Sequence, residues 1–368
     1  LYGDLHAHMI SLPLMLLALG LAMGEVWRRR RGSRGPALLA LLLAALTVGA
    51  LRATNTWDYP TFLGLMGAAM LLGYLASPRP ADSPVHPSWA LLEQVGGRFL
   101  LFAFLTWLFF QPYVAHYATA YASIQLWKGS KTPLWAYLAI HGLFLFPIVT
   151  WLVVQVRRGG ETRRPRSAGG VQEPGSKVAD LSGEGAPARW EQEAAGGQGG
   201  LVAWLILLGV LALGMAVLGY RAALVVLPVG GLAAWVLLAA EERWAATGEA
   251  IAPTLPGRFL ALLVGLALAI TLGVEVIVLK GDISRMNTVF KFYLQVWVLL
   301  GVSAAVTLVW VAPRPVRWSH TARRWWWGLL LALRFAAALY PLLATRARVR
   351  DRYVREIGPT LDGMAFLS

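Results

Sequence analysis

The 368-residue chain contains no cysteine, so it forms no disulfides and no thiolate metal sites. Charged residues are also scarce, at 14% of the chain, whereas soluble proteins average about 25%. Acidic residues are the scarcer kind, since 19 Asp and Glu stand against 33 Lys and Arg. In a soluble protein this excess would suggest a nucleic-acid partner. Here many arginines lie in loops between apolar blocks, which indicates membrane lipids as partners and no nucleic acid.

Apolar sequence is abundant, at 57% of the residues, and it comes in blocks. Each block approaches the length that crosses a bilayer as a helix, about 20 residues. Lipid offers no partners for unpaired backbone groups, so such blocks must be helical. The sequence predicts an all-α polytopic transmembrane helical bundle of about ten spans. These spans lie near residues 10–26, 36–51, 61–76, 98–111, 134–155, 201–219, 222–240, 259–279, 292–312 and 325–345.

A glycine-rich segment of mixed charge, residues 157–200, separates five predicted spans from the other five. Its low apolar content predicts a disordered cytoplasmic linker between a first bundle, 1–156, and a second bundle, 201–345. Residues 346–368 are expected to form an extracytoplasmic tail that leads to a missing domain. The chain begins without Met and ends just after a polar segment. We therefore expect it to be a fragment of a longer protein.

The distribution of Lys and Arg predicts the orientation in the membrane. Most of them lie in one set of alternate loops, which includes Arg28, Arg98 and the 157–200 linker. Such loops are usually cytoplasmic. The other set, which includes the start of the chain, is then outside. The prediction is a multi-pass plasma-membrane protein whose polar clusters lie at its extracytoplasmic face.

The first polar cluster precedes the first span and contains Asp4, His6 and His8. Alternating positions can place all three side chains on one side of an extended segment. Three interpretations remain open. The cluster can bind a divalent metal such as Mg²⁺ or Mn²⁺, it can act in an active site without metal, or it can be an interfacial stretch whose histidines bond backbone or headgroups.

A second cluster, residues 52–61, lies between the second and third spans. Trp57 suits a membrane interface, which is the simplest explanation for it. Asn55 and Asp58 are harder to explain so close to hydrocarbon. Amide, carboxylate and aromatic groups together are typical of sites that bind sugar hydroxyls.

The third cluster surrounds the start of the ninth span and comprises Glu275, Asp282, Arg285, Asn287, Lys291 and Gln295. The spacing of four residues from Asn287 to Lys291 and Gln295 places these side chains on one helix face. Arg285 and Lys291 lie near a helix start, where cations and free N–H groups favour a phosphate. Alternatively, Lys291 extends to the membrane surface, and Arg285 pairs with Asp282 or Glu275.

Two histidines form a weaker fourth cluster. His116 lies in the longest outer loop, and His141 lies within the fifth span. His116, in the outer loop, is a substrate-binding candidate. His141 is given no role, because a lone histidine in a helix is more often bonded to a neighbouring helix than catalytic.

These stretches resemble the YYY family of prokaryotic multi-pass membrane proteins, a domain of unknown function. The matching segments are Gly3–His8 leading into Leu12-Pro13, Thr54–Thr61, Arg285–Tyr293 and Pro359–Met364. That family is distantly similar to membrane glycosyltransferases of the GT-C type, which take sugars from polyprenyl-phosphate carriers. The resemblance implies a similar fold, a polyprenyl-phosphate sugar as partner and a site at the extracytoplasmic face. GT-C enzymes usually carry their catalytic carboxylate in a first outer loop, and the resemblance implies that this loop precedes the start of the present fragment.

The leading hypothesis is therefore a GT-C-like glycosyltransferase. Asp4 and Asp58 are its catalytic candidates, unless the principal base precedes this fragment. The predicted substrate-binding residues are Asn55, Trp57, Glu275, Asp282, Arg285, Asn287, Lys291, Gln295 and His116. Two other hypotheses remain, a transporter or flippase of lipid-linked sugars and a non-catalytic membrane scaffold.

Overall fold

A computed structural model describes most of the chain. The described residues are 7–30, 37–77, 89, 91–117, 123–161, 189–238, 254–280, 284–311, 318–352, 358, 360, 362 and 364. Asp4, His6 and Asp282 lie outside these residues. Contacts divide the chain into two compact units, and residues 7–314 belong to the larger one.

The larger unit contains ten α-helices and one two-stranded sheet in its described part. The helices are α1 Ala7–Arg30, α2 Ala37–Thr54, α3 Tyr59–Leu75, α4 Arg98–Leu108, α5 Gln111–His116, α6 Leu134–Glu161, α7 Arg189–Val217, α8 Ala223–Leu238, α9 Leu255–Val276 and α10 Ser284–Val311. The strands are β1 Ile124–Leu126 and β2 Ile277–Leu279. The other unit contains α11, His320–Arg352.

This architecture is the predicted all-α polytopic membrane bundle. Seven described helices, α1, α2, α6, α7, α9, α10 and α11, are long and apolar enough to cross a bilayer. Helices α3 and α8 are apolar but shorter, and α4 has 11 residues after a π-helical turn at Leu92–Gly97. About ten helices thus occupy the predicted positions, but the count of ten full-length spans is not confirmed.

Local sequence explains where the helices near the polar clusters begin and end. Pro60 occupies the first turn of α3, where a missing N–H costs nothing. Thr254 caps α9, because its hydroxyl accepts a hydrogen bond from the Gly257 N–H at 3.4 Å. At its other end α9 passes directly into extended backbone at Ile277. Helix ends therefore place both Asp58 and Glu275 beside non-helical backbone.

Helix packing in the larger unit builds a core around α10. Helix α1 packs against α2, α3 and α10, while α10 also packs against α6 and α9. Small residues allow close approach elsewhere, as is usual between membrane helices. At Gly49 of α2, a Cβ would lie 2.6 Å from the Phe110 ring, so only glycine fits there.

A short antiparallel sheet joins the connection before α6 to the end of α9. Strand β1 pairs with β2 in a register that sets Ile124 opposite Leu279. Further backbone bonds extend the pairing, since Trp127 N–H donates to the Val276 carbonyl at 2.8 Å. This sheet fixes residues 123–132 against the start of α10.

The opposite end of the unit is held by an ion-pair network. Glu25 of α1 accepts hydrogen bonds from Arg28 at 2.8 Å and from Arg98 of α4 at 3.1 Å. Arg98 also donates to the Ala37 carbonyl at the start of α2, at 3.3 Å. Three helices are thus tied together at the end that contains the arginine-rich loops.

The predicted linker and tail are partly helical. Helix α6 continues to Glu161 and α7 begins at Arg189, so both extend into the 157–200 segment, whose residues 162–188 lie outside the described ones. Helix α11 continues to Arg352 and so includes the first part of the predicted tail. The division into two five-span bundles stays a prediction.

Candidate functional site

The structure brings the predicted polar stretches to one end of the larger unit. His8 lies at the start of α1, Asn55 and Asp58 lie between α2 and α3, Glu275 ends α9 and Lys291 lies in the first turns of α10. Side-chain contacts join these segments across more than 200 residues of sequence. They form two neighbouring groups, which we call the Asp58 cluster and the Glu275 cluster.

The Asp58 cluster consists of His8, Asn55, Asp58, Thr61, Lys291 and Gln295. At its centre, the Gln295 amide donates to Asp58 Oδ1 and to the Trp57 carbonyl, both at 2.9 Å. The Gln295 side-chain carbonyl in turn accepts from the Thr61 hydroxyl at 2.5 Å. Protein groups therefore use both ends of this amide. Gln295 thus holds one oxygen of Asp58, and its role in substrate binding stays a prediction.

The second oxygen of Asp58 is the open position of this cluster. Asp58 is fully buried, yet its Oδ2 makes no hydrogen bond to the described residues. Burial raises the pKa of this carboxyl from 3.8 to about 6, against the opposing effects of the neighbouring Ser11, Asn55 and Gln295 side chains. The Asn55 Nδ2 is likewise buried without a described partner. These two buried atoms of the cluster thus have no described hydrogen bond, and they belong to neighbouring side chains.

Helix α10 supplies the cation and aromatic contacts of the Asp58 cluster. Lys291 is 9% exposed and lies one helical turn before Gln295, on the same helix face. The His8 ring packs 4.8 Å from the Phe290 ring, and the Trp57 ring lies 6.1 Å from Phe292. His8 and Trp57 therefore pack against the part of α10 that contains Lys291.

The Glu275 cluster consists of Thr132, Glu275 and Arg285. Arg285 Nη2 forms an ion pair with Glu275 Oε1 at 2.5 Å. Glu275 is 1% exposed at its side chain, and it also accepts from the Thr132 N–H at 3.0 Å and from the Thr132 hydroxyl. Both carboxylate oxygens are therefore occupied by protein donors.

The guanidinium of Arg285 is equally engaged. It donates to the Val274 carbonyl at 3.2 Å, the Ser130 carbonyl at 3.3 Å and the Thr132 hydroxyl at 3.0 Å. This is the ion pair with Glu275 that the sequence left open as an alternative. Arg285 thus links the end of α9 to the start of α10, and Lys291 is a second cation, on the face of α10 that carries Gln295.

A third group of polar side chains lies deeper, between α6, α9 and α10. The ring centroids of Tyr137 and Tyr293 each lie 4.9 Å from that of His141. The Tyr137 hydroxyl lies 3.5 Å from the Thr271 hydroxyl. His141 is fully buried, and its two nitrogens have no described hydrogen-bond partner. The signal that identifies His141 in the sequence is its polarity within an apolar span.

The remaining predicted site residues contribute less. His116 is exposed on α5, and its ring Nδ1 lies 2.7 Å from the carbonyl of Pro112 in the same helix. Asn287 is half-buried on α10. Among the described residues, no three His, Asp or Glu side chains come together as a metal ligand set. Of the predicted metal ligands, only His8 is described, so the complete set stays a prediction.

These features define a polytopic α-helical membrane protein with buried polar clusters at one end of its helices. The chain belongs to the family described as "Uncharacterized membrane protein (DUF2298)", which matches residues 1–300. No curated protein and no solved structure matches the chain. Membership in this family identifies the chain as a membrane domain whose function is not established.

Proposed function

We propose that this protein transfers a sugar from a polyprenyl-phosphate carrier at the extracytoplasmic face of the plasma membrane. The observation that carries the proposal is the Asp58 carboxylate, which has one oxygen fixed by Gln295 and the other without a described partner. The resemblance to the YYY family and its distant similarity to GT-C enzymes supply the reaction class. The distribution of arginines supports the orientation.

Asp58 suits the role of general base. A base works best when its pKa lies close to the working pH, and burial brings the pKa of Asp58 to about 6. At neutral pH its Oδ2 is then an ionised acceptor for the proton of an attacking hydroxyl. Gln295 fixes the carboxylate orientation through Oδ1.

Lys291 suits the leaving phosphate. Lys291 lies on the face of α10 that carries Gln295, which contacts Asp58, whereas Arg285 forms an ion pair with Glu275. A cation in a low-dielectric site stabilises a developing phosphate charge more strongly than it would in water. Asn55 and Trp57 lie on the same connection as Asp58. Their proposed role is to contact the sugar. A divalent metal at Asp4, His6 and His8 would add positive charge beside the phosphate.

The test is transfer by the purified protein in liposomes that contain a radiolabelled polyprenyl-phosphate sugar. Asp58→Asn and Lys291→Met should each lower the transfer rate by about 100-fold or more, because each removes a group that acts in the transition state. Glu93→Gln is the control, a change at an exposed carboxylate outside both clusters that should leave transfer unchanged. Full activity in both site variants would reject the proposal.

A non-catalytic scaffold is the second candidate. It is favoured by the hydrogen bonds of Gln295, which are all satisfied within the protein. A scaffold predicts no transfer by the wild type, with unchanged partner assembly in the Asp58→Asn variant. A flippase would instead move labelled lipid between leaflets without forming a glycosidic bond.

A further inference from the structure

A group of polar and aromatic side chains near the end of α2 has no role in the proposed transfer. It consists of Arg52, Thr56, Tyr59, Tyr113 and Tyr117, which we call the Arg52 cluster. The guanidinium carbon of Arg52 lies 5.7 Å from the centre of the Tyr59 ring, within the range of cation–π attraction, about 6 Å. The Tyr113 and Tyr117 rings stack with their centroids 4.8 Å apart. Burial raises the pKa of Tyr113, and the neighbouring Thr56 and Arg52 side chains oppose that rise.

The positive charge of Arg52 has no counterion among the described residues. Its guanidinium forms no ion pair and no hydrogen bond with them, and the Thr56 hydroxyl bonds the backbone carbonyl of Arg52 instead. The Asp58 Oδ2 has no described partner, and Glu275 is paired with Arg285. An aromatic ring provides no oxygen for the five N–H donors of a guanidinium. A ligand with anionic oxygens would supply the acceptors that these donors lack.

Arg52 lies at the level of the lipid headgroups. Helix α2, Ala37–Thr54, is a candidate membrane span of 18 residues, and Arg52 is in its last turn. At 1.5 Å per residue this helix is about 27 Å long, close to the thickness of the hydrocarbon layer, about 30 Å. The end of α2 is therefore at the boundary between hydrocarbon and headgroups. Tyrosine rings are enriched at the same level.

The helix beside the cluster exposes apolar side chains to lipid. The Tyr59 hydroxyl lies 2.8 Å from the hydroxyl of Thr106, which ties the Tyr59 ring to α4. On α4, Phe104 is 52% exposed and Trp107 is 44% exposed, with their ring centroids 5.8 Å apart. Exposed apolar side chains of a membrane helix contact lipid tails. This proximity favours a lipid over a soluble anion, because its tails can extend along α4.

The chemistry of the cluster favours an anion over a neutral sugar. Sugar hydroxyls are typically bound by carboxylate and amide groups, and the Arg52 cluster contains neither. A guanidinium instead matches two phosphate oxygens with a pair of N–H donors. We propose that the Arg52 cluster binds the phosphate of an anionic lipid headgroup, in the leaflet at the Asp58 end of the helices. This site does not depend on sugar transfer.

Native mass spectrometry of the full chain tests the proposal. The protein is released from micelles that contain stepped amounts of dioleoyl phosphatidylglycerol or, separately, dioleoyl phosphatidylcholine, whose ammonium group offsets the phosphate charge. Arg52→Gln should weaken binding of the first phosphatidylglycerol about tenfold and leave phosphatidylcholine binding unchanged, because it removes a charged hydrogen-bond donor. Arg221→Gln is the matched control and should retain the wild-type affinity. Arg221 is an exposed arginine beside Tyr220, at the same end of the helices.

Arg52→Lys serves as a second variant. It keeps the charge and removes the planar pair of donors, so its affinity should lie between those of the wild type and Arg52→Gln. Circular dichroism checks that each variant is folded. If Arg52→Gln does not fold, Arg52→Lys decides the test, and an affinity equal to that of the wild type would then reject the guanidinium site.

Several results would overturn the proposal. One is equal phosphatidylglycerol affinity in the wild type and folded Arg52→Gln. Another is an equal loss in Arg52→Gln and Arg221→Gln, which would show only a general effect of charge. Displacement of the lipid by inorganic phosphate would assign the cluster to a soluble anion, and equally tight binding of a neutral glucosyl diacylglycerol would assign it to a sugar.

Discussion

Two buried carboxylates lie at the same end of this protein, and their surroundings differ. Glu275 has donors on both oxygens, including the Arg285 guanidinium at 2.5 Å. Asp58 has a described hydrogen bond from the neutral Gln295 amide on one oxygen, and its other oxygen has no described partner. A buried carboxylate paired with a cation has its charge balanced. A buried carboxylate with an open oxygen is a candidate for chemistry.

The difference shows that buried polar side chains have two different structural roles in this membrane domain. Glu275, Arg285 and Thr132 together join α9, α10 and the connection before α6, so they hold the fold. Asp58, in contrast, has a described side-chain hydrogen bond only to Gln295, which fixes its orientation. Substitutions at the two carboxylates should therefore change stability in opposite directions.

The largest expected change in stability comes from Glu275→Gln. It leaves the partly buried charge of Arg285 without its counterion, and removing one partner of a buried pair costs about 3–5 kcal/mol. The free energy of unfolding in mixed micelles, followed by tryptophan fluorescence, should fall by about that amount. Glu93→Gln, at an exposed carboxylate, is the control and should change little.

A double variant sharpens the same test. Glu275→Gln combined with Arg285→Met removes both charges, so it should be more stable than Glu275→Gln alone. Strictly additive losses would show that the two side chains do not act as a pair.

The pH dependence of the free energy of unfolding should reflect the titration of the Asp58 carboxyl. Because burial raises its pKa from 3.8 to about 6, the folded state binds this proton more tightly than the unfolded state. Its contribution is therefore fully present below pH 3.8 and is lost as the pH rises through about 6. The loss is about 3 kcal/mol, since one pKa unit corresponds to about 1.4 kcal/mol.

Asp58→Asn isolates that contribution. At neutral pH the variant should be more stable than the wild type, and the difference should disappear toward pH 4. Unfolding titrations of both proteins over this range provide the measurement. A variant that is less stable than the wild type at neutral pH would show that the Asp58 carboxylate stabilises the fold, as Glu275 does.

Smaller effects are expected where neutral groups support Asp58. Thr61→Val removes one hydrogen bond to Gln295 and should lower the free energy of unfolding by about 1 kcal/mol. In sugar transfer, it should reduce the rate modestly, because Gln295 still contacts Asp58. Thr47→Val, on α2, is a control that removes only a bond to its own helix backbone. Equal transfer rates in all three proteins would show that Thr61 has no positioning effect.

Much of the fold could be predicted because membrane helices are long and apolar. The helices of span length lie where hydrophobic blocks predicted them. Whether α3, α4 and α8 cross the bilayer could not be predicted, because a buried apolar helix and a spanning helix have similar composition. The β1–β2 pairing was missed as well, since three-residue strands produce no detectable alternation.

The site was predictable as a set of segments and less so as a set of contacts. The four-residue spacing of Lys291 and Gln295 correctly placed them on one face. The sequence could not decide whether Arg285 faces a ligand or Glu275, because both arrangements satisfy a guanidinium. Nor could it show that Thr61 and Trp57 satisfy the Gln295 amide, which depends on how α3 packs against α10.

The contacts of Arg98 limit how far the helices can move relative to one another. Through Glu25 and the Ala37 carbonyl, this one side chain fastens α1, α2 and α4 together at the end remote from Asp58. In the proposed function a prenyl chain enters beside Asp58 and separates helices there, and the Arg98 contacts resist separation at the other end. We therefore expect the helix ends near Asp58 to move apart while the ends joined by Arg98 stay together.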